Sequence, residues 1–192
     1  MENIENTLTH STIVVQESSL RQASFIFLYD TYFSRVYNYI HYRSGDPDTT
    51  DDLTAIVFEK ALYNFHRYQP DRAPFGAWLF GIARNIVNSH LRTQRRRLTT
   101  PLEEITEQPD ENSLPEANLI STETSNELLL ALDALNERER DFLSLKFAAH
   151  FTNRRIAELT GLSEANVSVI IYRALRKLRH RLANSDQSNA SP

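Results

Sequence analysis

The chain has 192 residues, of which 41% are hydrophobic, and this is enough for one medium domain or two small ones with buried cores. It contains no Cys, which excludes disulfides and cysteine-based zinc sites, and its 4 Gly are too few for a fold with many tight turns. Its formal net charge is −4, so an evenly charged surface would repel nucleic acid. Residues 1–20 hold neither a signal peptide nor an apolar run long enough to cross a bilayer, and we therefore expect a cytoplasmic protein without membrane contact.

The charge is distributed unevenly along the chain. Residues 1–98 carry 11 Lys and Arg against 10 Asp and Glu, residues 99–126 carry 0 against 7, and residues 127–192 carry 10 against 8. Each outer part has a basic cluster that contains no acidic residue. The clusters are Arg84, Arg92, Arg95, Arg96 and Arg97, and Arg173, Arg176, Lys177, Arg179 and Arg181. Each predicts a face that binds phosphate groups, although a basic helix end that only stabilises the helix dipole is the alternative.

Residues 20–98 have the apolar spacing of amphipathic helices and follow a polar N-terminal tail at residues 1–19. The first helix is predicted from about Leu20 to Arg43, before a break at residues 44–47. The predicted core positions of the second helix are Leu53, Ile56, Val57, Ala61 and Leu62. Those of the third, after a loop at residues 68–74, are Phe75, Trp78, Leu79, Ile82, Ile86 and Leu91. This segment predicts a bundle of three or four helices.

Residues 99–126 have no sustained apolar period, contain 3 Pro and are acidic without any basic residue. This composition is typical of a flexible linker. A flexible chain of this length spans roughly 30 Å on average and reaches roughly 90 Å when fully extended. We therefore expect two separate helical modules joined by a tether.

Residues 127–183 are predicted to form the second helical module, before a C-terminal tail at residues 184–192. Within it, a short helix with the small residue Ala157 leads through Gly161 into another helix. Ala157 allows the two helices to approach, and Gly161 supplies the backbone freedom of the turn. The second helix is packed by Leu162, Val167 and Ile170. This is the pattern of a helix-turn-helix, whose second helix enters the major groove of DNA, and an ordinary corner between two helices is the alternative.

Four motifs carry a family resemblance. Residues 51–53 are DDL and are followed by Phe58, and residues 75–85 read FGAWLFGIARN. Residues 135–140 read LNERER, and residues 172–179 read YRALRKLR. In this order, across an acidic linker, they resemble regions 2 and 4 of bacterial RNA polymerase sigma factors of the extracytoplasmic-function (ECF) group in the sigma-70 family. The resemblance covers most of the chain and implies an all-α fold with two small helical domains.

The resemblance implies core RNA polymerase and promoter DNA as partners, and it leaves open an anti-sigma protein as a third. For polymerase binding it implies Asp51, Asp52, Leu53 and Phe58. For the minus-ten element the candidates are His66, Tyr68, Arg84, Asn85, Arg92, Arg95, Arg96 and Arg97. For the minus-thirty-five element they are Arg154, Arg155, Ser163, Glu164, Ala165, Asn166, Ser168, Val169, Arg173 and Arg176. No catalytic residue, metal, other cofactor or small-molecule substrate is expected.

The chain departs from the family pattern at two places. Ala55 and Ile56 stand where the family usually has Gln and Glu, so we expect a more apolar contact with the polymerase. Ser168 and Ile170 stand where it usually has Lys and Arg. Since Lys and Arg are the side chains that bond guanine edges, we expect region 4 to add only modest sequence selectivity, with region 2 dominating promoter choice.

Some of these residues also have a purely structural interpretation. Trp78 lies on the core stripe and is expected to be structural, whereas for Tyr68 and His66 both interpretations stay open. His41, His90, His150 and His180 lack a partner at metal-ligand spacing. Gly76 and Gly81 have the spacing of a phosphate-binding loop, but no Lys-Ser/Thr follows, so we expect no enzyme. The alternative function is a helix-turn-helix regulator that binds duplex DNA without polymerase.

Overall fold

The structure is a computed structural model that describes residues 2–99 and 128–189, with side chains for residues 23–97 and 128–183. The predicted linker therefore lies almost entirely outside the described residues. The described part contains helices and no strand, which confirms the all-α prediction. The helices are α1 (Glu2–Ser44), α2 (Pro47–Asn64), a 3-10 turn (Phe65–Arg67), α3 (Phe75–Thr99), α4 (described over residues 128–133), α5 (Glu137–Phe147), α6 (Asn153–Thr160) and α7 (Glu164–Asn189).

The chain reverses between α1 and α2 at Gly45, whose φ of 75° is in the left-handed region that favours glycine. The Gly45 N–H donates to the carbonyl of His41 (2.9 Å) and so closes α1. Asp46 caps α2, because its carboxylate accepts a hydrogen bond from the N–H of Thr49 (2.8 Å), and Pro47 occupies the first helical position. The hydrogen bonds from Thr49 lower the pKa of the Asp46 carboxyl.

Two details of the first module were predicted wrongly. Helix α1 begins at Glu2 rather than at about Leu20, and so most of the predicted N-terminal tail is helical. No Gly or Pro occurs in residues 1–44, and nothing there interrupts a helix once it has formed. On α2, Ile56 and Leu62 are 37% and 53% exposed and do not belong to the core. The buried face of α2 consists of Thr50, Leu53, Thr54, Val57, Phe58 and Ala61.

The second module has the predicted helix-turn-helix. Helix α5 starts with a capping box, in which the N–H of Glu139 donates to the Asn136 side chain (2.9 Å) and the Asn136 N–H donates to the Glu139 carboxylate (3.1 Å). Gly161 ends α6 in the left-handed conformation (φ 71°). Ala157 and Val167 are buried where α6 crosses α7. These contacts fix the angle between the two helices and confirm the predicted turn.

The two modules pack against each other, which the sequence did not predict. Helix α1 contacts α5, and α3 contacts α6. The Phe80 ring of α3 lies between the rings of Tyr39 (centroids 5.6 Å apart) and Phe151 (5.0 Å), the latter in the second module. Phe80, Ala83 and Val87 give α3 a second buried face, and the buried residues of both modules form one continuous cluster in the described part.

Candidate nucleic-acid interface

Arg84, Asn88, Arg92 and Arg96 are spaced by four residues and therefore follow one side of α3, whereas Arg95 and Arg97 lie to either side of Arg96. Arg84, Asn88, Arg92 and Arg96 line a cleft of about 560 Å³ that faces α5 and the helix-turn-helix turn. Asn85 is exposed beside this row. A row of guanidinium groups with an amide next to it can hold phosphates and bond a base edge.

Two of the predicted DNA contacts are paired with acids of the second module. The Nε of Arg84 donates to the Oδ2 of Asp141 (2.8 Å), and Arg95 forms an ion pair with Glu137. Both acids lie on α5. The structure therefore places carboxylates of α5 against the face of α3 that was predicted to bind phosphates.

The loop before α3 holds Tyr68 in an aromatic cluster. Its ring centroid lies 5.4 Å from that of Phe75 and 5.3 Å from that of Trp78, and its hydroxyl donates to the carbonyl of Ala73 (3.1 Å). Burial raises the pKa of Tyr68, and Trp78 is half-buried in the same cluster. His66 is exposed on the 3-10 turn. Tyr68 and Trp78 thus shape the loop, whereas His66 can reach a ligand outside it.

The residues proposed for polymerase binding divide into two groups. Asp51 and Asp52 are exposed on α2, whereas Leu53 and Phe58 are buried in the first module. The Phe58 ring packs 4.6 Å from that of Tyr29. Leu53 and Phe58 can therefore act on a partner only by positioning α2.

Helix α2 carries an exposed apolar strip that was not predicted. Ile56 and Tyr63 lie about one and about three turns after Asp52, and Leu62 adjoins Tyr63. Tyr63 is 76% exposed. The spacing of Asp52, Ile56 and Tyr63 would have revealed a common face, but Ile56 and Leu62 were interpreted as core residues. These exposed apolar side chains are the residues that could form the expected apolar contact with the polymerase.

The start of α7, the second helix of the helix-turn-helix, is exposed as predicted. The side chains of Ser163, Glu164, Ala165, Asn166, Ser168, Val169, Arg173 and Arg176 all lie at the surface of the described second module. The Ser168 hydroxyl is already engaged, because it donates to the carbonyl of Glu164 (3.0 Å) and accepts from the Asn153 side chain (2.9 Å). Tyr172, one turn after Ser168 and 66% exposed, was missed as a surface residue. Its place three positions after Val169 was the available signal.

Arg154 and Arg155 lie at the first turn of α6 and share one acidic neighbour. The Nη1 of Arg155 lies 2.7 Å from the Glu158 carboxylate, and the Nε of Arg154 lies 3.4 Å from it. All three groups are solvent-accessible, and exposed pairs of this kind contribute little to stability. A phosphate can therefore displace Glu158 at small cost.

The described residues contain no group of three or more His, Asp or Glu side chains that could hold a metal ion. None of the described helices has the length and apolarity needed to cross a membrane.

Comparisons with known proteins identify relatives of both modules. The family model Sigma-70 region 2 matches residues 28–97, and the model Sigma-70, region 4 matches residues 125–178. The chain is 33% identical over 155 residues to the ECF RNA polymerase sigma factor BldN of Streptomyces coelicolor. The matched residues make up 81% of this chain and 59% of BldN. It is 30% identical over 132 residues to ShbA of Streptomyces griseus, an ECF RNA polymerase sigma factor, with 67% of this chain and 69% of ShbA covered.

A solved structure has the same fold. The sigma factor RpoE of Bartonella quintana, crystallised with the anti-sigma factor NepR, superposes with a TM-score of 0.65 at 20% identity. The superposition covers 83% of this chain and 97% of RpoE. At this identity the likeness concerns the fold, and it includes both modules.

Proposed function

This chain belongs to the ECF group of the sigma-70 family, and we propose that it brings core RNA polymerase to promoters and helps to open them without catalysing a reaction itself. The proposed partners are core polymerase and promoter DNA in the cytoplasm. We include an anti-sigma protein, because a solved sigma factor of the same fold was crystallised with one. The alternative, a helix-turn-helix regulator acting without polymerase, accounts for the second module alone.

The observation that carries the proposal is the polar side of α3. Asn85, Arg92 and Arg96 share this side, no acidic residue lies between them in the sequence, and all three side chains are exposed. Arginine contacts to phosphate position a protein on DNA without reading its sequence, whereas an amide can pair with a base edge. We therefore assign recognition of a base in the minus-ten strand to Asn85 and binding of the phosphate backbone to the arginines. His66, which is exposed on the preceding 3-10 turn, is proposed to contact the same strand.

The strip Asp52, Ile56 and Tyr63 is the proposed polymerase contact. It combines an acidic group at the start of α2 with exposed apolar side chains, and large exposed apolar residues that share a face mark protein interaction sites. The buried neighbours Leu53 and Phe58 hold α2 in place beneath the strip.

The second module is proposed to bind the DNA backbone more than it distinguishes bases. Ser168 already makes two hydrogen bonds within the protein, and the Glu164, Ala165 and Val169 side chains can offer only an acceptor or apolar contacts. Asn166 is the remaining side chain that can pair with adenine. Arg173 and Arg176 are proposed to bind the backbone, with Arg154 and Arg155 at the start of α6.

Run-off transcription with core polymerase tests the division between reading and gripping. Asn85→Ala is expected to change the order of preference among minus-ten variants. Arg92→Ala is expected to weaken all of them by the same factor and to reduce the salt slope of DNA binding by about one. If both variants shift sequence preference equally, the division is wrong.

Pull-down of core polymerase tests the strip on α2. Asp52→Ala and Tyr63→Ser should each weaken capture, and both are expected to fold because the side chains are exposed. Leu130→Ser is the matched control, since Leu130 is also a large exposed apolar residue but lies on α4. If folded Asp52→Ala and Tyr63→Ser variants capture polymerase as strongly as the wild type does, the strip on α2 is not the polymerase contact.

A further inference from the structure

A side-chain hydrogen bond joins the two helices of the helix-turn-helix at their surface. Asn153 is the first residue of α6, and its Nδ2 donates to the Oγ of Ser168 on α7 (2.9 Å). The Ser168 hydroxyl donates its own proton to the carbonyl of Glu164, one turn earlier on α7 (3.0 Å). A serine hydroxyl has one proton and two acceptor positions. Ser168 therefore has no proton left for a base edge, and its hydroxyl is held between the two helices.

This bond contributes little to the stability of the folded chain. Ser168 is exposed, so water competes for the bond, and the net contribution of such a bond is small. The Oδ1 of Asn153 is buried and has no hydrogen-bond partner in the part of the chain that the structure describes. An unpaired buried acceptor is unfavourable, and folded proteins contain few of them. A cost at Oδ1 with little gain at Nδ2 indicates that Asn153 serves something other than stability.

The position of the bond determines which movement of α7 it opposes. Successive residues of an α-helix are rotated by about 100° around the helix axis. Ser168 and Asn166 stand on either side of the fully buried Val167, so they lie on opposite flanks of α7. The apolar contact of Val167 has no preferred direction, whereas a hydrogen bond requires a particular distance and angle. The bond between Asn153 and Ser168 therefore opposes rotation of α7 about its own axis.

A small rotation of α7 is enough to change base recognition. Side chains extend about 5–6 Å from a helix axis, so a rotation of about 10° moves the Asn166 side chain by about 1 Å. Hydrogen bonds between nitrogen and oxygen span only about 2.7–3.2 Å, and an amide that pairs with adenine must meet two atoms at once. A displacement of this size therefore breaks the pairing that is proposed for Asn166.

We propose that Asn153 is a positioning residue: through its bond to Ser168 it fixes the rotation of α7 and so determines which base edge Asn166 meets in the minus-thirty-five element. This inference rests on the proposed function of α7 as the helix that contacts that element. It also gives a role to Ser168. Where the family usually has Lys or Arg, this chain has a hydroxyl that is bonded within the protein and orients the helix.

The test uses the full-length chain bound to core polymerase and a pool of promoter fragments whose minus-thirty-five positions are randomised. Bound fragments are sequenced, which gives the base preference at each position. Ser168→Val and Ser168→Thr are a matched pair, because both side chains branch at Cβ but only Thr keeps a hydroxyl that accepts from Asn153. Asn153→Ala removes the donor. A variant with both Asn153→Ala and Ser168→Val tests whether the two side chains act as one unit.

Asn153→Ala and Ser168→Val should each relax the preference at one base pair by about threefold to tenfold, within the range that one amide–base pair supplies. The double variant should lose no more than either single variant, and Ser168→Thr should keep the wild-type preference. The Tm of Asn153→Ala should not fall, because the substitution also removes the unpaired Oδ1. A purely structural residue would instead lower the Tm and leave the preference unchanged.

Three results would overturn the inference and leave the proposed function intact. The first is wild-type preference in both Asn153→Ala and Ser168→Val, although Asn166→Ala relaxes it. The second is a Ser168→Thr variant that loses as much preference as Ser168→Val. The third is additive losses in the double variant, which would show that the two side chains contact DNA separately. If the wild-type chain has no preference in the minus-thirty-five element, the proposed function of the second module is wrong, and so is the inference.

Discussion

Replacement of Gly161 by Ala measures how much the left-handed backbone conformation at this position contributes to the free energy of unfolding. Gly161 has φ 71°, and its N–H donates to the carbonyl of Ala157 (2.9 Å). A Cβ built at this position meets no atom within 4 Å, so the substitution introduces no clash. The left-handed conformation costs an L-residue about 1–2 kcal/mol, and the lower entropy of the unfolded chain returns roughly 0.5 kcal/mol of this. We expect a net loss of about 1 kcal/mol.

For a chain of this size, that loss corresponds to a fall in Tm of about 2–4 °C. Gly161→Asn should lose less, because Asn tolerates the left-handed region better than Ala. Gly45→Ala is the matched control: its φ is 75° and its Cβ also meets nothing within 4 Å, but it lies in the first module, outside the helix-turn-helix. The two Ala variants should lose similar stability, measured by urea unfolding, while only Gly161→Ala should weaken duplex binding.

The result that would refute this reasoning is a Gly161→Ala variant with wild-type or higher Tm. Equal losses for Gly161→Ala and Gly161→Asn would also contradict it, since the difference between the two side chains in the left-handed region is the basis of the expectation.

Three other predictions concern packing, pH and base reading. Gly76→Ala should destabilise the fold by about 1–3 kcal/mol, because its Cβ would lie 2.8 Å from the Tyr32 ring. Gly81→Ala should stabilise the fold by up to about 1 kcal/mol, because the nearest atom to its Cβ is 3.9 Å away. Equal effects of the two substitutions in urea unfolding would contradict this prediction. Burial lowers the pKa of His41, so the folded state favours the neutral ring, and stability is fully present above the ordinary pKa of about 6.5 and falls as the pH drops below it. The Tm of His41→Gln should fall less than that of wild type on acidification, and parallel curves would disprove the assignment. Asn166→Ala should relax preference at one base pair of the minus-thirty-five element by at most about 1–3 kcal/mol, and a mutational scan that is unchanged in this variant would assign the reading elsewhere.

The sequence predicted the turn of the second module well, because Gly161 and Ala157 are residues whose size and backbone freedom determine the geometry locally. It predicted the buried face of α2 less well. Thr50 and Thr54 are buried there, and an apolar pattern does not count threonines. The Thr50 hydroxyl donates to the carbonyl of Asp46 (2.6 Å), which explains how it can be buried. Without these two positions, Ile56 appeared to belong to the core.

The contact between the modules could not be predicted from local patterns. Asp141 and its partner Tyr39 are about a hundred positions apart, on opposite sides of a linker whose composition gives no register. Phe80 was equally ambiguous, because α3 has apolar residues on two faces and the sequence does not say what the second face packs against. The individual site residues stay predictions, since they rest on exposure and chemistry rather than on an observed complex.

The carboxylate of Glu139 serves two helices at once. It closes the capping box at the start of α5, and it also accepts the Lys177 ammonium group of α7 at 2.7 and 2.9 Å. Lys177, a member of the basic cluster of α7, thus links α7 to the first turn of α5. Glu137 and Asp141, which contact the first module, lie on that same helix. We therefore expect a change in the tilt of α5 against the first module to shift α7 as well, so that the orientation of α7 depends on the contact between the two modules.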